Sequence, residues 1–196
     1  MTASTQTSQP YQPPANGFRT FSIVWVTQSL STIGSALTYF CITILLTQVL
    51  YPAPEQKTQL AFALSAVSLA MGLPTVLLAP IAGAWADRYD RKQIMILMDG
   101  LGAVLSQVLL LMLVSGTLHL WMLILIVFFF AASGAFHGAA FDTSYAMLVN
   151  EKQLPRANGM MQTIWSLSGI ISPAIAAALI SLPDLARQGI LRGATG

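Results

Sequence analysis

The fold is decided by the stretch Gly83-Ala84-Trp85-Ala86-Asp87-Arg88-Tyr89-Asp90-Arg91-Lys92, which separates two long apolar runs. It holds two of the seven acidic residues and three of the nine basic residues of the chain. A segment this short and this charged cannot lie in hydrocarbon, so it must lie at a membrane face. Its excess of basic residues predicts that this face is cytoplasmic and that both flanking runs are membrane spans.

The composition also indicates a protein embedded in the membrane. Hydrophobic residues make up 55% of the 196 residues and charged residues only 8%, whereas soluble domains carry about 25% charged residues. We therefore expect an all-α membrane protein with the lipid bilayer as its main partner, because a helix satisfies its own backbone hydrogen bonds in lipid. The basic residues are spread over several loops, which argues against a nucleic-acid partner.

The residues expected of an enzyme or a metal site are missing from the sequence. Cys41 is the only cysteine and lies in an apolar run, so neither an internal disulfide nor a cysteine metal cluster is expected. His119 and His137 fall at different depths of the predicted bundle and have no plausible set of metal-binding neighbours. Motifs for serine hydrolysis, zinc proteolysis and ATP binding are also missing. We expect no enzyme activity and no cofactor.

Five apolar runs predict a bundle of five transmembrane helices within residues 18–182. The approximate spans are 21–50, 60–85, 93–114, 120–149 and 159–182. Residues 1–17 are rich in Pro, Ser, Thr and Gln and lack a signal peptide's basic start and hydrophobic centre, so they predict a disordered cytoplasmic tail. Residues 183–196 predict a polar tail on the external side.

The basic residues assign the orientation of this bundle. Six of them fall on one side of the five-span arrangement: Arg19, Arg88, Arg91, Lys92, Lys152 and Arg156. Lys57, Arg187 and Arg192 fall on the other side. This asymmetry predicts a multi-pass protein of the plasma or inner membrane with a cytoplasmic amino terminus.

Polar residues inside the spans are the candidates for a functional site. In the first span they recur at spacings of four, three, four and four, which places them on one helix face: Gln28, Thr32, Ser35, Tyr39 and Thr43. That face either bonds to neighbouring helices or lines a cavity. His137, in the fourth span, is likewise either a packed residue or a group that contacts a proton or a substrate. The predicted substrate cavity comprises Gln28, Thr32, Ser35, Tyr39 and His137.

Two further features lie in the second and third spans. Small residues repeat at helical spacing along the second span and predict a closely packed seam: Ser65, Ser68, Gly72, Thr75, Ala79 and Gly83. Asp99 is the one acidic residue within the third span. An acid at that depth either binds a proton for function or pairs with basic residues of the nearby loop.

The charged stretch resembles the signature loop between the second and third spans of major facilitator superfamily transporters. That pattern is roughly Gly-x-Leu-Ala-Asp-(Arg/Lys)-x-Gly-(Arg/Lys)-(Arg/Lys). Six residues match it: Gly83, Ala86, Asp87, Arg88, Arg91 and Lys92. Trp85 replaces the usual aliphatic residue and Asp90 the second glycine, where Asp is expected to tolerate a left-handed turn.

Two other segments resemble one branch of this superfamily. The form of the charged stretch, together with residues 148–159 (LVNEKQLPRANG), is similar to the drug:proton antiporter branch that includes macrolide-efflux-like proteins. In that branch the fifth span usually carries a Gly-Pro-x-x-Gly-Gly motif. Here residues 172–177 read SPAIAA, so the proline is kept and small residues replace the glycines.

The resemblance implies a secondary active transporter that exports small amphipathic molecules or drugs, driven by an ion or proton gradient. It also implies two six-span halves, of which this sequence covers five spans of the first, so a carboxy-terminal half or a partner chain would complete the protein. The predicted conformational gate comprises Gly83, Asp87, Arg88, Arg91, Lys92 and Asp142. In the family the aspartate matching Asp87 is thought to cap a helix of the other half, and Arg91 is expected to pair with Asp142.

A second interpretation comes from a different functional class. The chain taken alone is also compatible with a non-transporting membrane protein that acts as a partner or scaffold. A measurement of substrate transport separates the two interpretations.

Overall fold

A computed structural model of the chain describes the backbone of residues 14–194 and the side chains of residues 14–180. Most of the predicted cytoplasmic tail, residues 1–13, lies outside the described residues. The same holds for the side chains of the predicted external tail, 183–196.

Five long helices make up the described structure. They are α1 (Gly17–Ile44), α2 (Lys57–Arg88), α3 (Arg91–Val114), α4 (Leu120–Leu148) and α5 (Leu154–Ala194). A π-helical segment, Leu45–Leu50, extends α1, and single 3-10 turns lie at Pro54–Gln56 and Glu151–Gln153. The five helices are long and apolar enough to cross a membrane. The predicted all-α membrane fold is confirmed.

The helices extend beyond the apolar runs from which they were predicted. The backbone of α5 remains helical to Ala194, past the predicted end of the fifth span at residue 182. At its start, Pro155 is the second residue of α5, where a missing backbone N–H costs nothing. Polar residues at a helix end do not interrupt backbone hydrogen bonding, so the apolar window underestimates helix length.

Helix α4 lies at the centre of the bundle and contacts α1, α2 and α3, while α5 packs along α1. Ser133 in α4 donates a hydrogen bond to the Met98 carbonyl of α3 (2.9 Å). Trp25 in α1 donates to the Met160 carbonyl of α5 (2.9 Å). Further along the same pair of helices, the Ser172 hydroxyl donates to the Ile33 carbonyl (3.0 Å). These cross-helix bonds show that α1 and α5 run parallel.

Apolar cores close the bundle at each end. One core lies where α1 ends and α2 and α4 begin, around Leu46 and Leu123. At the amino-terminal end, Phe21 packs with Val149 and Ala157, and Ala86 of α2 packs with Ile94 and Ala140 in a further cluster. The middle of the bundle lies between these cores.

The seam predicted on α2 does not pack in the described structure. Ser65, Ser68, Gly72, Thr75 and Ala79 are exposed, and nothing lies within 4 Å of a Cβ built on Gly72 or Gly83. The buried face is a different one: Ala63, Val67, Ala70, Pro74, Ala82 and Ala86. Both faces consist mainly of small residues, so residue size alone did not identify the face that meets α4.

The amino-terminal core predicts a contrast between two phenylalanines. Phe21 is 0% exposed and Phe62 is 69% exposed. Phe21→Ala should lower the free energy of unfolding by about 3–5 kcal/mol because it leaves a cavity. Phe62→Ala is the matched control and should cost much less. Denaturation of both variants in the same detergent measures the difference, and equal losses would contradict the core position of Phe21.

Candidate functional site

A cavity of about 840 Å³ lies in the middle of the bundle. Its wall comes mainly from α1, α3, α4 and α5, with Met71 and Thr75 added from α2. All five residues of the predicted cavity lie in this wall: Gln28, Thr32, Ser35, Tyr39 and His137. Asp99 lies in the wall as well. The structure therefore brings these six residues together, and their contact with a substrate stays a prediction.

The polar face of α1 meets the cavity because its spacing follows the helical repeat. The Thr32 hydroxyl donates a hydrogen bond to the Gln28 carbonyl one turn earlier (2.8 Å). Thr43, at the far end of the same stripe, donates to the Tyr39 carbonyl (3.3 Å) and is not part of the cavity wall. The stripe thus leaves the cavity where the apolar core around Leu46 begins.

Asp99 and His137 face each other across the α3–α4 contact. The Asp99 Oδ1 and His137 Nε2 atoms are 3.3 Å apart. The His137 Nε2 atom is fully buried and makes no hydrogen bond of good geometry, so the contact is an ion-pair distance without hydrogen-bond alignment. The Asp99 side chain is 59% exposed and the His137 side chain 17%. The carboxylate therefore faces the open cavity, while the imidazole lies behind it.

A hydrogen bond beside this pair holds α3 and α4 together. The Ser133 hydroxyl bonds to the carbonyl of Met98, the residue before Asp99. Ser133 also lies one turn before His137 on α4. None of the three basic residues of the loop, which were predicted as alternative partners, pairs with Asp99, since the pair with His137 is the one ion pair found among residues 14–180. In the same range, no three His, Cys, Asp or Glu side chains are close enough to hold a metal ion.

The sequence did not identify the apolar part of the wall. Large apolar side chains complete the cavity: Met71, Met98, Phe130, Phe141, Met161 and Trp165. Phe141 stacks on the His137 ring with centroids 6.4 Å apart and an interplanar angle of 18°. These residues lie in apolar runs whose sequence predicts a membrane span and nothing more. Only the packing of the helices shows that they line the cavity together.

A ladder of aromatic rings continues from the cavity to the amino-terminal end. Phe141 contacts Tyr145 (centroids 5.6 Å apart), Tyr145 contacts Phe21 (5.8 Å), and Phe21 contacts Phe18 (5.8 Å). The Arg156 guanidinium lies 5.0 Å from the Phe18 ring centroid, a cation–π distance. These contacts connect α1 and α4 to the start of α5 on the amino-terminal side of the cavity.

In the charged loop, Asp90 caps helix α3. The Asp90 Oδ1 atom accepts a hydrogen bond from the Lys92 backbone N–H (2.9 Å), and Asp90 has an extended backbone (φ −63°, ψ 111°). The expected left-handed turn at Asp90 is therefore wrong. Asp90 therefore supplies a side-chain cap at the position where the family pattern has glycine. Aspartate is one of the residue types that stabilise the start of a helix in this way. Trp85, the other departure from the family pattern, packs edge-on against Phe136 of α4.

The structure does not bring Arg91 and Asp142 together. The Arg91 Nε atom donates to the Ala86 carbonyl (3.1 Å), and its guanidinium contacts the Met147 sulfur. Asp142 is exposed, about one and a half turns before Met147 on α4. Asp87, Arg88 and Lys92 are exposed too. Gly83 lies on the unpacked face of α2. The expected pair is not formed in this structure because other groups of α2 and α4 hold Arg91.

The described residues form a membrane bundle with a cavity at its centre and a charged loop between its second and third helices. The sequence profile of the Major Facilitator Superfamily matches residues 22–186. The chain belongs to this superfamily.

Two curated relatives share the matched region. The chain is 36% identical over 165 residues to macrolide efflux protein A of Streptococcus pyogenes, an alignment that covers 84% of this chain and 39% of the relative. It is 37% identical over 119 residues to macrolide efflux protein A of Enterococcus faecalis, covering 61% of this chain and 37% of the relative. The chain thus spans about two fifths of the length of the curated relatives it matches. No solved structure matches it.

Proposed function

We propose that the chain forms part of a secondary active transporter that exports small amphipathic molecules, macrolides among them, with an ion or proton gradient as the driving force. The observation that carries the proposal is the central cavity, whose wall combines a polar stripe from α1 with aromatic and methionine side chains. Such a wall suits a molecule with both polar and apolar surface. The relatives are macrolide efflux proteins, which supports export as the direction.

The proposed membrane arrangement follows the basic residues. The amino-terminal end of the bundle, with Arg88, Arg91 and Lys92, faces the cytoplasm of a plasma or inner membrane. A carboxy-terminal half, in the same polypeptide or in a partner chain, covers the open side of the cavity. The length of the relatives supports this part of the proposal, because their homologous region is about two fifths of the whole.

The cavity predicts a pattern of chemical labelling. In a Cys41→Ser background, single cysteines at four wall positions should react with a water-soluble maleimide: Gln28, Thr32, Tyr39 and His137. A saturating macrolide should slow each reaction severalfold because it occupies the same space. Mass spectrometry of the protein from the complete reading frame that carries this sequence measures the rates.

Two leucines serve as comparators for that experiment. Leu46 is fully buried in the core, and Leu110 is 52% exposed on the outside of α3. Cysteines at both should react slowly with the charged reagent, with or without macrolide. Labelling that is equal at all six positions would contradict the cavity as a substrate path. A protein with accessible cavity positions and no macrolide protection would favour the membrane-scaffold interpretation.

The conformational gate is a second part of the proposal. Arg91 contacts α4 at Met147, and Asp142 lies on the same helix about one and a half turns away. In the alternative state of the transport cycle, Arg91 moves along α4 to pair with Asp142. The exposed Asp87 caps a helix of the other half, an interaction worth about 0.5–2 kcal/mol. Arg88 and Lys92 attract the anionic membrane surface nearby, while Gly83 lets the partner helix approach α2 closely.

Charge exchange tests the gate. Arg91→Asp and Asp142→Arg should each abolish macrolide efflux from cells at normal expression, since each leaves a charge without its partner. The double exchange should recover part of the efflux. Lys57→Asp, an exposed site at the opposite end, is the control and should behave as wild type. A double variant no better than the worse single variant would remove the pair from the gate.

A further inference from the structure

A groove lies on the outside of the bundle, at the carboxy-terminal end of α2. This α2 groove has a volume of about 350 Å³ and is lined by residues of one helix: Pro80, Ile81, Ala84, Trp85, Arg88 and Tyr89. None of these residues lines the central cavity. The lining changes along the helix from apolar side chains at Pro80 and Ile81 to Arg88 and Tyr89, where α2 ends. The groove therefore joins the apolar part of α2 to its charged end.

The groove continues a stripe of α2 that is packed earlier along the helix. Val67, Pro74, Ile81 and Arg88 follow one another at intervals of seven residues, about two helical turns, and so lie on one face. Val67 and Pro74 are buried, whereas Ile81 is 49% exposed and Arg88 is exposed. The described part of the bundle thus covers the first half of this stripe and leaves the second half open.

Two aromatic rings form one wall of the groove. The Trp85 ring packs edge-on against Phe136 of α4 (centroids 5.3 Å apart) and at a tilt against Tyr89 (5.4 Å). Both rings of the wall remain accessible, since Trp85 is 45% exposed and Tyr89 61% exposed. Tryptophan and tyrosine are enriched at the level of the lipid headgroups, because each joins an apolar ring to a polar N–H or O–H group. The pair thus marks the groove as lying at the membrane–water interface.

The polar side chains of the groove are hydrogen-bond donors. They are the Arg88 guanidinium, the Trp85 indole N–H and the Tyr89 hydroxyl, and within residues 14–180 none of them forms an ion pair or a side-chain hydrogen bond. The lining contains no acidic residue. At headgroup depth a phospholipid offers phosphate and ester oxygens, which are acceptors. A guanidinium matches a phosphate especially well, because its planar fork donates two parallel hydrogen bonds.

We propose that the α2 groove binds one anionic phospholipid. The phosphate binds Arg88, the ester oxygens accept hydrogen bonds from Trp85 and Tyr89, and the start of an acyl chain packs along Ile81. Charge selects this class of lipid, because Arg88 is the charged group of the lining and basic residues beside a membrane attract anionic headgroups. A zwitterionic lipid offers the same phosphate but brings its own cation beside Arg88, so it binds more weakly.

The groove lies on a different face of α2 from the residues proposed to meet the carboxy-terminal half. Those residues are Gly83 and Asp87, and at the helical repeat they lie about 100–160° around the axis from Ile81 and Arg88. A lipid in the groove and a helix against Gly83 therefore do not compete for space. The inference goes beyond the proposed transport function, and its test measures no transport, so either can fail without the other.

Photocrosslinking with two lipids tests the site. The purified protein from the complete reading frame that carries this sequence is placed in phosphatidylcholine nanodiscs with a trace of probe. The probe is phosphatidylglycerol or phosphatidylcholine with the same diazirine near the ester of one acyl chain. Mass spectrometry should find crosslinks within residues 80–89, with about tenfold more from phosphatidylglycerol, the effect of one charge-assisted contact.

Variants of one residue test the role of charge in that preference. Arg88→Gln should remove most of it, and Arg88→Lys, which keeps the charge but not the fork, should recover part. Lys152→Gln is the matched control, because it removes an exposed basic residue outside the groove, in the loop before α5. This control should keep the wild-type ratio. An unchanged melting temperature shows that each variant is folded.

Three results would overturn the inference. The first is equal crosslinking of residues 80–89 by the two lipids, which shows a lipid-facing surface without a site. The second is a preference for phosphatidylglycerol that Arg88→Gln leaves intact, or that Lys152→Gln lowers equally, since the attraction then belongs to the whole membrane face. The third is an absence of lipid crosslinks at residues 80–89 because a helix of the carboxy-terminal half or a second copy covers the groove.

Discussion

Every backbone polar group that faces lipid between the two faces of a membrane must find its hydrogen-bond partner inside the protein, and polar side chains there are stabilised in the same way; this constraint organises the whole bundle. The backbone meets it by forming helices. Serine and threonine hydroxyls meet it largely by donating to a carbonyl three or four residues earlier, as Thr32, Thr75 and Ser106 do. These three residues line the cavity, and their hydroxyls, having donated their protons, keep acceptor lone pairs for a ligand. Asp99 and His137, which have no such local partner, face each other instead.

Helix α4 divides the bundle into a packed part and an open part. Its first half carries large apolar residues, and Leu123 and Val127 are fully buried against α1 and α2. Its second half carries small residues such as Gly134 and Gly138, which make room between the helices beside His137. The aromatic ladder through Phe141 then closes the amino-terminal side. The change of residue size along one helix therefore positions the cavity.

The sequence predicts well what depends on one helix and poorly what depends on two. Hydropathy and proline position are properties of a single segment, so the five helices followed from them. The spacing of Gln28, Thr32, Ser35 and Tyr39 defines one helix face, and that face does meet the cavity.

The partner of Asp99 depends on how α3 and α4 are rotated and shifted relative to each other, which no pattern within either helix specifies. The packed face of α2 was misassigned for the same reason, since both faces of this helix consist mainly of small residues. Asp90 was missed because the family pattern expects glycine there, which hid its capping role.

The central claim is that the proposed substrate binds in the cavity in the middle of the bundle, whose wall includes Asp99 and His137. Photocrosslinking with a macrolide that carries a photoreactive group tests it most directly, with the modified residues identified by mass spectrometry. The account predicts crosslinks within residues 98–102 and 134–141, and predicts that excess unmodified macrolide abolishes them. Crosslinks confined to positions outside the cavity such as Val76 and Leu77, both largely exposed, would contradict it.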